Sequence, residues 1–114
     1  MSAYAVGRLT QVNLGPGITE YLERIDATLA PFNGRFIIHG DPPEQKEGRW
    51  IGALIVIEFP DMAAARAWYA SPVYQAILHL RTDNARGEII LIEGVPTDHK
   101  ATDVLKPRVL EDAP

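Results

Sequence analysis

Residues 50–61 read Trp50-Ile51-Gly52-Ala53-Leu54-Ile55-Val56-Ile57-Glu58-Phe59-Pro60-Asp61, and the chain continues as Met62-Ala63-Ala64-Ala65-Arg66-Ala67-Trp68-Tyr69-Ala70-Ser71-Pro72-Val73-Tyr74-Gln75-Ala76-Ile77-Leu78-His79-Leu80-Arg81. Three elements follow from it. Trp50 to Phe59 is rich in β-branched residues and predicts a strand. Its centre, Ile51 to Ile57, is almost wholly apolar, so both faces call for cover. Pro60-Asp61 opens a helix, with Asp61 placed to accept from the free amides of the first turn. The alanines at 63–67 favour that helix strongly. Ser71-Pro72 breaks it, because a residue before proline is pushed away from helical angles. The helix then restarts with Ser71 as cap and Pro72 in the first position, and runs to about Arg81. At 100° per residue, Tyr74, Ile77, Leu78 and Arg81 fall on one stripe.

Upstream, residues 3–12 alternate as a strand. Tyr4, Val6, Arg8, Thr10 and Val12 share one face; Ala3, Ala5, Gly7 and Leu9 share the other, which is small enough for something to pack close. Arg8 must be paired or sit at the rim. Asn13 to Gly17 interrupts. A helix over 18–33 carries Ile18, Tyr21, Leu22, Ile25, Leu29 and Phe32 on one stripe. Pro31 distorts its last turn, and Gly34 stands where a left-handed cap is wanted. Arg35 to His39 is a short strand, with Phe36 and Ile38 facing one way and Arg35, Ile37 and His39 the other. Residues 40–49 form a loop. Downstream, Thr82 to Gly87 reads as a loop and Glu88 to Val95 as the last strand, apolar on both faces.

The order β-α-β-β-α-β predicts an α+β fold of the split βαβ, or ferredoxin-like, type. Its four-stranded antiparallel sheet has two helices on one face and occupies residues 1–95. The other sheet face still has Ile and Val to hide, and the simplest cover is a second copy of the chain, giving a homodimer. Residues 96–114 form a C-terminal tail, or an arm that lays Val104-Leu105 and Val109-Leu110 on the partner.

The 114 residues make one domain, and 46% hydrophobic with 23% charged content argues against a disordered or fibrous chain. A net charge of −4 does not suit wrapping nucleic acid. With no cysteine, disulfides, thiol catalysis and cysteine metal sites are excluded. That fits a reducing, cytoplasmic location. No apolar run reaches the ~20 residues that span a bilayer, so no membrane partner is expected. Met1-Ser2-Ala3-Tyr4 lacks the pattern of a signal peptide.

Glu58-Phe59-Pro60-Asp61, then Ala64-Ala65-Arg66-Ala67-Trp68-Tyr69 and Ser71-Pro72-Val73-Tyr74-Gln75, resemble the domain of unknown function 1330 family of the dimeric α+β barrel superfamily. The first strand, Gly34-Arg35-Phe36 and Ile90-Leu91-Ile92-Glu93-Gly94 extend the resemblance over about 3–95. It implies a ferredoxin-like fold and a dimer whose two sheets form a barrel, and it implies no established reaction. Superfamily relatives include cofactor-independent oxygenases, small-ring isomerases and haem enzymes.

No metal-ligand spacing, phosphate loop or nucleophile elbow is present, and the residues call for no cofactor. His39 is the foremost chemical candidate: an imidazole there is a base for a bound phenol or enol, or else a residue hydrogen-bonded at a strand end. Tyr69, Ser71 and Tyr74 cluster at the helix break, Tyr69 and Ser71 as substrate-binding hydroxyls and Tyr74 as a catalytic hydrogen-bond donor beside His39, or else as core aromatics and a cap. Arg81 is either a clamp for a carboxylate or a solvated cation at the negative end of the helix. Trp50 and Trp68 read as core or interface, His79 as exposed, and His99 as part of the tail. Two functions follow, a cofactor-independent enzyme on a small, mostly apolar acid or ring compound, and a non-catalytic binding or sensing dimer using the same pocket. A purely structural dimerisation module is the third, and it predicts no pocket. Haem held by a neutral histidine is a remote fourth.

Overall fold

The alternation along the first strand, β1 (Ala3–Val12), sorts its residues between two sides of a sheet. The computed structural model describes residues 1–106. Ala3, Ala5 and Gly7 are buried, and Tyr4 and Val6 opposite them are half-buried. The helix α1 (Pro16–Leu29) continues into a short 3-10 turn at Ala30–Phe32. Then come β2 (Arg35–His39), β3 (Ala53–Phe59), α2 (Met62–Ala70), α3 (Pro72–Thr82) and β4 (Ala85–Glu93). The strands lie in the order β2-β3-β1-β4, all antiparallel to their neighbours, and this is the ferredoxin-like arrangement. A 3-10 turn at Ala101–Leu105 follows the sheet, with Val104 and Leu105 exposed. Val109-Leu110 lies outside the described residues. No described helix is long and apolar enough to cross a membrane.

The helix side of the sheet holds the core. Phe59 and Ile57 of β3 stand beside Ala3 and Ala5 of β1, beneath Leu29, Ile25 and Tyr21 of α1 and Trp68 of α2. Gly34 lets the chain pass under this layer, since a Cβ there would come within 2.6 Å of the Phe59 ring and 2.9 Å of Leu29. Asp61 caps α2 by accepting from the Ala64 amide at 2.8 Å. The break between α2 and α3 falls on Ser71, whose backbone is extended. Its hydroxyl donates to the Trp68 carbonyl at 2.6 Å and accepts from the Tyr74 amide at 3.3 Å, so it serves both helix ends.

Several boundaries differ from the sequence reading. Proline is favoured in the first position of a helix, and Pro16 begins α1 two residues before Ile18. Asn33, not Gly34, adopts the left-handed conformation after the 3-10 turn. β3 starts at Ala53: Gly52 has φ +101, and Trp50 folds back to donate its indole N–H to the Gly52 carbonyl at 2.8 Å. β4 begins at Ala85, pairing with Val12 across a register shift at Leu9/Gln11. The second shift matters most for function. Between Phe36 and Ile38 the pairing with β3 slips, so Phe36 opposes Ile57 and His39 opposes Ile55, both on the helix side. The two rings stack at 4.2 Å, where strict alternation sets them on opposite faces.

The far face of the sheet carries Ile38, Ile90 and Ile92, 42%, 51% and 49% exposed, together with Tyr4, Val6 and Leu54. Within one chain, therefore, β4 is not covered on both faces. The charges of this face pair at the rim: Arg8 with Glu88 at 3.5 Å and Arg35 with Glu58 at 2.8 Å.

Candidate functional site

The small inner face of β1 leaves room above it. A cavity of about 210 Å³ lies between that face and α1 and α3, with Ala5, Gly7 and Ala53 among its sheet residues and Ile18, Tyr21 and Ile25 from α1. Gly7 is flanked by Ile55 and Ile89, and an added Cβ would stand 2.8 Å from Ile89 Cδ1. The hollow thus exists partly because β1 presents almost no side chain there. Val12, Leu14 and Leu22 border it and are exposed, Leu14 to 81%, which makes an apolar lip.

His39, Tyr74 and Arg81 all line this one cavity. His39 is exposed, at its mouth, stacked on Phe36. Tyr74 and Arg81 are buried on the inward stripe of α3 with Ile77. Arg81 is only 8% exposed, so it is not the solvated helix-end cation. Among the described residues its Nε has no hydrogen-bond partner, and it joins no ion pair. Its neighbours are hydroxyls: the guanidinium carbon lies 6.0 Å from the Tyr21 ring centre, with the Tyr74 phenol also beside it. Burial works to lower the Arg81 pKa, but the Tyr74 and Tyr21 hydroxyls outweigh it. The net shift is upward and the group stays charged.

Tyr21 is the residue that sequence reasoning placed only in the core stripe. Its hydroxyl meets that of Tyr74 at 2.8 Å, both buried, with the rings edge to face at 6.3 Å. Burial first, and then Tyr74, hold the Tyr21 phenol well above its ordinary range, against the opposing pull of Arg81. The signal was a phenol on the α1 stripe, but its partner became visible only once α1 packed on α3.

Tyr69 and Ser71 stand apart from the cavity lining. Tyr69 is half-buried with its ring 5.6 Å from that of Tyr74, and Ser71 is engaged at the two helix ends. Trp68 is a core residue that borders the cavity, its indole donating to Thr28 Oγ1 at 3.0 Å. Trp50 is 38% exposed, beneath the Arg8 guanidinium. His79 is exposed, and His99 lies beside Asp103 in the final turn. Among the described residues no three His, Cys, Asp or Glu side chains gather as a metal set.

The chain belongs to the family described as a domain of unknown function (DUF1330), whose model matches residues 2–95. No curated protein matches it. Among solved structures it is similar to a protein of unknown function from Rhodopseudomonas palustris, at 15% identity over 83% of each chain with a TM-score of 0.62. It is also similar to a dimeric ferredoxin-like protein of unknown function from Jannaschia sp. CCS1, at 17% identity over 82% of this chain and 100% of that one, TM-score 0.63. A third is SnoaB, a cofactor-independent oxygenase from Streptomyces nogalater, at 18% identity over 87% of this chain and 98% of that one, TM-score 0.58. At these identities the likeness establishes the fold, and function has to come from the site itself.

Proposed function

We propose that this domain is a cytoplasmic homodimer, each subunit of which binds a small, mostly apolar acid or ring compound in the cavity between the sheet, α1 and α3. The observation that carries the reading is Arg81, a buried cation with no carboxylate partner among the described residues, lining an otherwise apolar hollow. A buried charge is retained at a cost unless something compensates it, and an anionic ligand does so. The homodimer rests on the uncovered far face of the sheet and on the Jannaschia neighbour being described as dimeric. Residues 96–114 act as an arm, with exposed Val104 and Leu105 set against the partner. The test is thermal stabilisation by a panel of small acids and phenols. A ligand at a hundred times its Kd adds about 2.7 kcal/mol to stability. If no member of the panel raises the melting temperature, the binding reading fails.

A catalytic reading of the same cavity is favoured by one further observation, the imidazole of His39 held at the mouth by its stack on Phe36. There His39 takes a proton from the substrate, Tyr74 donates a hydrogen bond and Arg81 holds the acid, with no cofactor required. Tyr69 and Ser71 act indirectly, by fixing the position of Tyr74. His39→Ala then abolishes turnover while leaving binding in place. Turnover that survives this substitution removes His39 from the mechanism.

A further inference from the structure

We infer that the cavity selects ring-bearing monocarboxylic acids, seated with the carboxylate inward on Arg81 and the Tyr21–Tyr74 pair and the ring directed toward Phe36 and His39. This rests on the proposal that the cavity binds a small acid or ring compound. It goes further by choosing the carboxylate over a ring hydroxyl and by fixing charge and orientation.

Charge comes first. No Asp or Glu is among the residues that line the cavity, and Arg81 is the only buried cation there among the described residues. One positive charge with no carboxylate partner among the described residues matches one negative charge. A second anionic group on the ligand would be buried without a partner, which costs several kcal/mol.

The donors come next. Two phenols carry two hydroxyl protons, and the Tyr21–Tyr74 hydrogen bond uses one of them. The other has no protein acceptor among the described hydrogen bonds. One O–H and a guanidinium are therefore available together, which suits the two oxygens of a carboxylate.

The resident phenol argues against an ionised ring hydroxyl. Tyr21 sits beside the same guanidinium and is held protonated, because burial outweighs the charge of Arg81. A ligand phenol is neutral at pH 7 to begin with, so it brings Arg81 no counter-charge. A carboxylic acid is more acidic than a phenol by about six pKa units and arrives as the anion at neutral pH, so it is the ligand that can pair with the guanidinium. An apolar cavity of about 150 Å³ accepts benzene, so the 210 Å³ here has room for a ring with its carboxyl group.

The experiment is calorimetric titration of the full chain at neutral pH with benzoate, benzamide, phenol and phthalate. Benzoate should bind at least tenfold more tightly than its neutral isostere benzamide and than phenol. Phthalate, with two charges, should bind more weakly than benzoate. Equal or tighter binding of benzamide or phenol, or tighter binding of phthalate, overturns the inference and leaves the general ring-binding proposal standing. Binding of none of the four overturns both. These comparisons use the unmodified chain, so they do not depend on any variant folding. Arg81→Met, which replaces the charge with an apolar chain, should erase the preference for benzoate over benzamide. A preserved benzoate preference in Arg81→Met removes Arg81 from the site.

Discussion

The Tyr21–Tyr74 hydrogen bond offers the most direct test of how the site is held together. Replacing Tyr21 with Phe keeps the ring, its edge-to-face contact with Tyr74 and its burial, and removes one oxygen. Two effects follow. The net stabilisation of the 2.8 Å bond is lost, and the Tyr74 hydroxyl is left buried without that partner. Together they cost about 1–3 kcal/mol, and the nearby guanidinium of Arg81, which can donate to the stranded oxygen, pulls the value toward the low end. A domain of this size loses about 4 °C in melting temperature per kcal/mol, so Tyr21→Phe should melt about 4–8 °C lower. Tyr74→Phe should cost a similar amount. The double variant strands neither hydroxyl, so its cost falls below the sum of the two by about 1 kcal/mol or more. Urea unfolding of all four proteins at one fixed concentration measures the cycle, the concentration being fixed because an oligomer's stability depends on it. Additivity within about 0.5 kcal/mol would show that the two hydroxyls do not act as a pair, and the site geometry would have to be abandoned.

Four further outcomes follow from the same structure. Ile90→Lys, on the exposed far face of the sheet, should leave the fold intact and yield a monomer at micromolar concentration in light scattering, because an unpaired charge buried at an interface costs several kcal/mol. Ser71→Ala should lower stability by about 1–2 kcal/mol in urea titrations, since one hydroxyl serves both the end of α2 and the start of α3. The folded pKa of Tyr21 lies above its unfolded value of 10.0, so its contribution is fully present below that pH and is lost as the pH rises beyond it; Tyr21→Phe should therefore flatten the alkaline limb of the stability profile. Gly7→Val should fill the hollow at the cost of a shift in the Ile89 side chain, lowering the affinity for ring ligands at least tenfold by calorimetry while circular dichroism stays native.

Element order was readable because long segments carry strong periods. The alternation of β1, the stripe of α1 and the Ser71-Pro72 break each have a local physical cause, and each appears in the structure. What escaped the sequence is non-local or ambiguous in composition. The slip between Phe36 and Ile38 is a property of pairing with β3, and five residues with no glycine or proline give no sign of it. It nevertheless decides which way His39 faces. The polar run before β4 resembles a loop, yet Ala85 and Arg86 pair with the far end of β1. Arg81 could be placed on the inward stripe from spacing alone, but its lack of a counter-ion depends on what every neighbouring element contributes. Tyr21 was visible as a core residue and invisible as a partner of Tyr74, 53 positions away.

One strand accounts for both surfaces on which the proposed function depends. Alternate residues of β1 point to opposite sides, so Ala5 and Gly7 form the floor of the cavity while Tyr4 and Val6 belong to the apolar far face. The small side chains are poor at stabilising a core: they forgo dispersion contacts that larger residues would make and leave a hollow. The buried Nε of Arg81, which has no hydrogen-bond partner among the described residues, adds a second deficit on the same side. A chain of 114 residues has few other places to recover that stability. The far face is one, since apolar surface there contributes roughly 25 cal/mol for each Å² removed from water by a second subunit. On the proposed reading a ligand is the other, because an anion reaching Arg81 would supply a counter-charge and its ring would fill the hollow. On that reading dimer contact and ligand would offset separate losses incurred on the two sides of a single strand, one permanently and one on demand.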